Sequence, residues 1–224
     1  MLTAVEARLS AACSATGRSR EDVVLVAVSK TRPAQDVAAL AALGVCDVGE
    51  NRDQEAAPKA GALADQVPGL RWHLVGQLQT NKARSVARYA FAVHSVDRPG
   101  LVEALAKGAQ QAGRELDVLL QVSLSEHAGR GGAEPAEVPA LADLTARAPG
   151  LRLAGVMAVA PLGADAERAF ATLAEVSAQL RVDHPEATAI SAGMSGDLEQ
   201  AISHGATYVR VGTALFGSRP AALG

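Results

Sequence analysis

Aromatic residues are scarce: three phenylalanines, two tyrosines and one tryptophan among 224 residues, 3% in all. A core with so few rings must be filled by Ala, Val and Leu, which suits helices packed closely on a parallel sheet. Cysteine is nearly absent. Cys13 and Cys46 form no Cys-x-x-Cys pair and no metal-ligand spacing, so neither a disulfide framework nor a zinc site is expected, and both thiols read as reduced. There is no His-x-x-x-His pattern and no carboxylate cluster, so no metal is expected. The roughly 18 uninterrupted apolar residues of a membrane span are also missing. The longest apolar stretch, 37–46, ends at Asp47. No basic run stands out, the net charge is −3 and the pI about 6.0, which argues against nucleic acid as a partner. The first twenty residues carry Glu6 and Arg8 inside an apolar pattern, so they read as an amphipathic helix over 1–20 and not as a signal peptide. These absences lead us to expect a soluble, cytoplasmic protein.

What is present is an alternation. Residues 23–28, Val-Val-Leu-Val-Ala-Val, are β-branched and too short for a helix, so they read as a buried parallel strand. Pro33 opens the next helix and Gly44 closes it. Further strands are expected at 46–49, 72–75, 91–96, 118–122, 151–157, 188–191 and 208–211. Helices are expected at 51–64, 80–89, from Pro99 onward, and at 135–148, 166–182 and 197–204. The 166–182 segment places Phe170, Leu173, Ala174, Ser177 and Leu180 on one face. About eight β-α alternations with no break in composition predict a single-domain (β/α)8 TIM-like barrel over 1–224, with a tail at 218–224. The competing fold, a doubly wound open sheet, wants a Gly-x-Gly-x-x-Gly turn after the first strand, and that turn here is Ser29-Lys30-Thr31-Arg32-Pro33. The Gly-rich stretch 125–135 is expected to be a mobile loop.

Active sites of such barrels form at the C-terminal ends of the strands. The residues ending the apolar runs are Ser29-Lys30, Glu50-Asn51, Gly76-Gln77 after His73, His94-Ser95, Gln121 and Ser123, Met157, Ser191, and Gly212-Thr213 after Arg210. Polar groups therefore converge on one rim. Lys30 reads either as a lysine leaving a strand for solvent or as an amine in a largely apolar mouth, where burial favours the neutral, nucleophilic form. The loop Ser191-Ala192-Gly193-Met194-Ser195-Gly196-Asp197 and the pair Gly212-Thr213 let backbone N–H groups approach an anion, in the position where barrel phosphate sites occur. Closure of the barrel would set Lys30 beside Arg210. Arg210 also fits a salt bridge with Glu50. His73 and His94 read more readily as hydrogen-bonded core histidines than as catalysts, and Asp197 and Glu199 as complements to a helix dipole.

Several segments resemble the pyridoxal phosphate homeostasis protein family (YggS/PROSC-like). They are Ala27-Val28-Ser29-Lys30-Thr31, Gly49-Glu50-Asn51, the run from Trp72 through Gly76-Gln77 to Lys82, Gly155-Val156-Met157, Gly193-Met194-Ser195, and Val209-Arg210-Val211-Gly212-Thr213 onward to Gly217. The resemblance runs from about Val23 to Arg219. It implies a barrel like the N-terminal domain of alanine racemase, with pyridoxal 5′-phosphate (PLP) held as a Schiff base on Lys30. By the same resemblance Asn51, His73 and Met157 line the pocket, and Ser191, Gly193, Met194, Ser195, Gly212 and Thr213 hold the phosphate. Arg210 would face the pyridine nitrogen and keep it unprotonated, a poor setting for carbanion chemistry. Arg52 stands where the family often has tyrosine, and the segment 127–132 departs from the family's usual pattern.

Two enzyme readings compete with a non-catalytic carrier. A racemase of this fold takes a second base, a tyrosine, from a further C-terminal domain. Here the chain stops at Gly224, Tyr89 falls in an outer helix and Tyr208 starts a strand. A Schiff-base aldolase would want a carboxylate beside the lysine, and Glu50 is its candidate. The order of motifs favours the carrier: a monomer that binds PLP, takes part in its homeostasis and passes it to PLP-dependent apoenzymes.

Overall fold

The computed structural model describes residues 1–124, 131–161, 163 and 165–217. Most of the expected 125–135 loop and the whole 218–224 tail lie outside the described residues. Eight parallel strands close into a barrel in sequence order: β1 Val24–Val28, β2 Asp47–Glu50, β3 Arg71–Leu74, β4 Ala90–Val96, β5 Leu116–Gln121, β6 Leu151–Met157, β7 Ala189–Ser191 and β8 Tyr208–Val211. Closure is made by β1 against β8, from Val24 opposite Tyr208 to Ala27 opposite Val211. The open-sheet alternative is thereby excluded.

The helices are α1 Leu2–Ala15, α2 Ala34–Ala41, α3 Asp53–Leu63, α4 Ala83–Val86, α5 Pro99–Ala112, α6 Val138–Arg147, α7 Ala166–Asp183, α8 Leu198–Ser203 and α9 Thr213–Phe216. Their limits follow local chemistry. Pro99 starts α5, and Gly113, at φ 63°, ends it in the left-handed conformation. The expected helix at 80–89 is a 3-10 turn, Thr80–Lys82, followed by the single turn α4. It is cut short because β4 begins at Ala90, and the Tyr89 hydroxyl is drawn to Asp53 of α3 at 3.2 Å. The segment expected at 135–148 likewise opens with a 3-10 turn, Pro135–Glu137. Helix α9 was not anticipated.

The largest apolar cluster lies between the sheet and helices α4 to α7, with Leu101, Leu105 and Ala109 of α5 against Val93, Val118 and Val156. A second cluster covers the closing seam. Helices α8 and α9 are too short to shield β8 and β1, and α1 lays Val5, Leu9 and Cys13 on Leu198, Ile202, Val209 and Leu215. Burial of such side chains stabilises by about 1.5–3 kcal/mol each. Inside the barrel, Met157 packs with Ala92 and Leu119. No helix among the described residues is long and apolar enough to cross a membrane, and no group of three or more metal-ligating side chains gathers among them.

Strand β6 meets β7 closely at Gly155, where an added Cβ would sit 1.9 Å from the Ala189 carbonyl oxygen. Gly155→Ala must therefore push the two strands apart. We expect a loss of roughly 3 kcal/mol, the upper end of overpacking penalties, read from the urea denaturation midpoint. Wild-type stability would refute the close approach.

Candidate functional site

A cavity of about 370 Å³ opens at the C-terminal mouth of the barrel, within the size range of small-molecule sites. Of the residues singled out by sequence, Lys30, Asn51, Met194, Ser195, Arg210, Gly212 and Thr213 line it. His73, Met157, Ser191 and Gly193 are not among its lining residues. Thr31, Arg32, Gly196, Phe216 and Gly217 also line it, as do the apolar side chains of Val28, Val75 and Val159. Arg32 lay in the turn after β1 and carried no motif of its own. It reaches the cavity because Nη2 donates to the Gly217 carbonyl at 2.7 Å and its guanidinium lies 5.8 Å from the Phe216 ring centre.

The turn presenting Lys30 is tightly held. Thr31 has φ 64°, a left-handed conformation that costs a β-branched residue about 1–3 kcal/mol. Its N–H donates to Glu55 at 2.8 Å, and Arg32 N–H donates to the Ser29 carbonyl at 3.0 Å. Lys59 of α3 donates to that same carbonyl at 2.9 Å and to Glu50 Oε1 at 2.5 Å. The Ser29 hydroxyl also donates to Glu50 Oε1, at 2.6 Å. Glu50 is 1% exposed, so Lys59, and not Arg210, is its ionic partner. Lys30 itself is exposed: of the two readings the sequence left open, it leaves the strand towards solvent while still lining the cavity.

The β7–α8 loop takes its shape from Gly193, at φ 86°, where an added Cβ would lie 2.6 Å from Ala201 Cβ. Asp197 accepts from the Met194 N–H at 2.6 Å, closing the loop on itself. Arg8 reaches over from α1, donating to the Ser195 carbonyl at 2.9 Å and to both Glu199 oxygens at 2.7 and 2.8 Å. Asp197 and Glu199 therefore shape the loop and anchor α1 rather than merely complementing a helix dipole. On the far side, Gly212 caps α9 and Thr213 begins it.

Arg210 is 5% exposed. Nη1 donates to Ser191 Oγ at 2.6 Å and Nη2 to the Ala158 carbonyl at 2.8 Å. Burial lowers its pKa to about 10, opposed by Asp197. Behind it the barrel interior holds a row of buried polar contacts. Ser191 Oγ lies 2.8 Å from His94 Nδ1, His94 Nε2 lies 2.9 Å from His73 Nδ1, and His73 Nε2 lies 2.8 Å from Asp47 Oδ1. Burial alone would raise the Asp47 carboxyl, but hydrogen bonds from His73 and Arg71 hold it below its ordinary value. Burial, His73 and the Arg210 cation hold the His94 ring well below its own.

A lysine, a buried arginine and two small-residue loops at one barrel mouth define a class: the alanine racemase N-terminal type. The sequence profile of that domain matches residues 2–220. Alanine racemase of Corynebacterium glutamicum shares the fold, at 17% identity and TM-score 0.69 over 99% of this chain and 62% of its own. Nearer relatives are the pyridoxal phosphate homeostasis proteins of Pseudomonas aeruginosa, 44% identical over 96% of this chain and 93% of theirs, and of Mycobacterium tuberculosis, 42% identical over 97% and 91%. PipY of Synechococcus elongatus, solved with PLP bound, is 38% identical with TM-score 0.83, covering 95% of this chain and 100% of its own. The chain belongs to the pyridoxal phosphate homeostasis protein family.

Two measurements check the local chemistry. Lys59→Met leaves Glu50 buried and unpaired and should cost about 3–5 kcal/mol in urea melts, with much of this restored in Lys59→Met/Glu50→Gln. The folded Asp47 value lies below the unfolded one, so its stabilisation is complete above the ordinary carboxylate range and is lost as pH falls through the lowered value. Urea midpoints from about pH 6 to about pH 2 should fall less steeply in Asp47→Asn than in wild type.

Proposed function

We propose that this chain is a cytoplasmic, monomeric PLP carrier that acts as one binding unit, takes part in intracellular PLP homeostasis and passes the cofactor to PLP-dependent apoenzymes. The observation that carries the reading is the sharing of one 370 Å³ cavity by the exposed amine of Lys30 and the buried guanidinium of Arg210. PLP supplies an aldehyde that condenses with an amine and a ring that withdraws electrons. Lys30 offers the amine for a Schiff base. Ser195 and Thr213 offer hydroxyls on small-residue loops, suited to a phosphate. Val28, Val75, Val159 and Phe216 offer apolar surface to ring faces, and Asn51 completes the wall.

The same geometry favours a carrier over a racemase. Arg210 stays a cation near neutral pH, since even its lowered pKa is about 10. Such a donor at a pyridine nitrogen keeps that nitrogen unprotonated and the ring a weak electron sink. Neither tyrosine lines the cavity as a second base. Tyr89 is bonded to Asp53, and Tyr208 lies among the interior rings, 5.7 Å from His73 and 5.5 Å from His94 between centres. Glu50, the carboxylate an aldolase would need, is engaged by Lys59 and Ser29.

The test is to mix purified protein with PLP, reduce with borohydride and map the adduct by mass spectrometry. A phosphopyridoxyl group on Lys30, absent from Lys30→Ala, is the expected result. No labelling, or equal labelling of the variant, overturns both site and function.

A further inference from the structure

The row of polar contacts across the barrel interior has a fixed direction. Arg210 can only donate, and the Asp47 carboxylate, held ionised by His73 and Arg71, can only accept. Between them stand Ser191, His94 and His73, each able to donate once and accept once when neutral. Four contacts link the five groups, at 2.6, 2.8, 2.9 and 2.8 Å. With neutral rings one arrangement satisfies all four. Arg210 Nη1–H donates to Ser191 Oγ, and the Ser191 hydroxyl donates to His94 Nδ1. His94 Nε2–H donates to His73 Nδ1, and His73 Nε2–H donates to Asp47. A proton added to either ring breaks this order. It would turn His94 Nδ1 into a donor and leave the Ser191 hydroxyl hydrogen without its acceptor. Burial, the neighbouring His73 and the Arg210 charge all oppose that protonation at His94.

Arg210 needs such an arrangement. A buried cation without an opposite charge is costly, and no carboxylate hydrogen-bonds to Arg210 among the described residues. Asp197 pulls on Arg210 through space, but it makes no hydrogen bond to the guanidinium, whose bonds go to Ser191 and Ala158. Glu50 is taken by Lys59. We propose that Asp47, at the opposite end of the barrel, is the remote counter-charge of Arg210, and that His94, His73 and Ser191 relay it. Chained hydrogen bonds polarise one another in a low-dielectric interior, so the carboxylate strengthens Ser191 as an acceptor several bonds away. Asp47, His73 and His94 are thus positioning residues. They touch nothing in the cavity, yet they hold the Arg210 guanidinium charged and fixed in plane, with Ala158 as its second anchor. The consequence for a ligand rests on the PLP reading above.

Two measurements separate this proposal from that reading. The first needs no cofactor. Long-range ¹H–¹⁵N correlation of the histidine side chains near neutral pH should show His73 and His94 neutral, each with its proton on Nε2. A proton on Nδ1 of either ring, or a doubly protonated ring, overturns the chain whether or not PLP binds. The second uses Asp47→Asn, which keeps an oxygen acceptor for His73 while removing the charge and one of the two acceptors of Arg71. We expect about tenfold weaker PLP binding and a shifted absorption maximum of the bound cofactor, at a temperature where the variant is folded, with Lys30 still labelled on reduction. Wild-type affinity and spectrum in Asp47→Asn would make the chain merely structural and overturn the proposal. Should the wild type take up no PLP, the functional reading fails, and the tautomers still decide the chain.

Discussion

Closure of the parallel sheet is the constraint on which everything else depends. Strand β8 pairs along β1 from Val24 to Ala27, joining two segments separated by nearly the whole chain. That pairing removes the open edges that would leave backbone donors unsatisfied. It also sets Arg210, opposite Val26, close to the end of β1 where Lys30 leaves the sheet. The seam is the thinly covered side of the barrel, because α8 and α9 are short. Helix α1 makes good that deficit, and through Arg8 it reaches the Ser195 loop as well. A stabilising device and a component of the site are therefore one helix.

The barrel interior is divided. Met157, Ala92 and Leu119 fill part of it by packing. Another part is crossed by buried polar groups that must satisfy one another, since water cannot. Such a network is tolerable only when complete. The contacts from Arg210 to Asp47 leave no link in the row unmade. At the mouth, the contacts of Glu55 with Thr31 and of Lys59 with Glu50 and the Ser29 carbonyl hold the lysine turn in place against the strain at Thr31.

The order of elements was legible because strands and helices write different periods into a sequence. Strands β6 and β8 stand where the pattern puts them, at Leu151–Met157 and Tyr208–Val211. Long helices such as α7 were equally plain, with Phe170, Leu173, Ser177 and Leu180 buried on the expected face. Short elements were not: α4 and α9 are single turns whose ends are decided by neighbours such as Asp53 rather than by periodicity.

At the site, local sequence determined which chemistry was on offer: a lysine after the first strand, small-residue loops after the seventh, an arginine in the eighth. The resemblance supplied a cofactor for them. Only the tertiary structure decided the partners. It gave Glu50 to Lys59 instead of Arg210, drew Arg32 into the cavity, left Lys30 exposed, and turned His73 and Ser191 into the interior contacts behind Arg210. The reason is that a strand's side-chain alternation tells which residues share a face, whereas ionic and hydrogen-bonding partners come from strands far apart in sequence. Their pairing exists only once the barrel has closed.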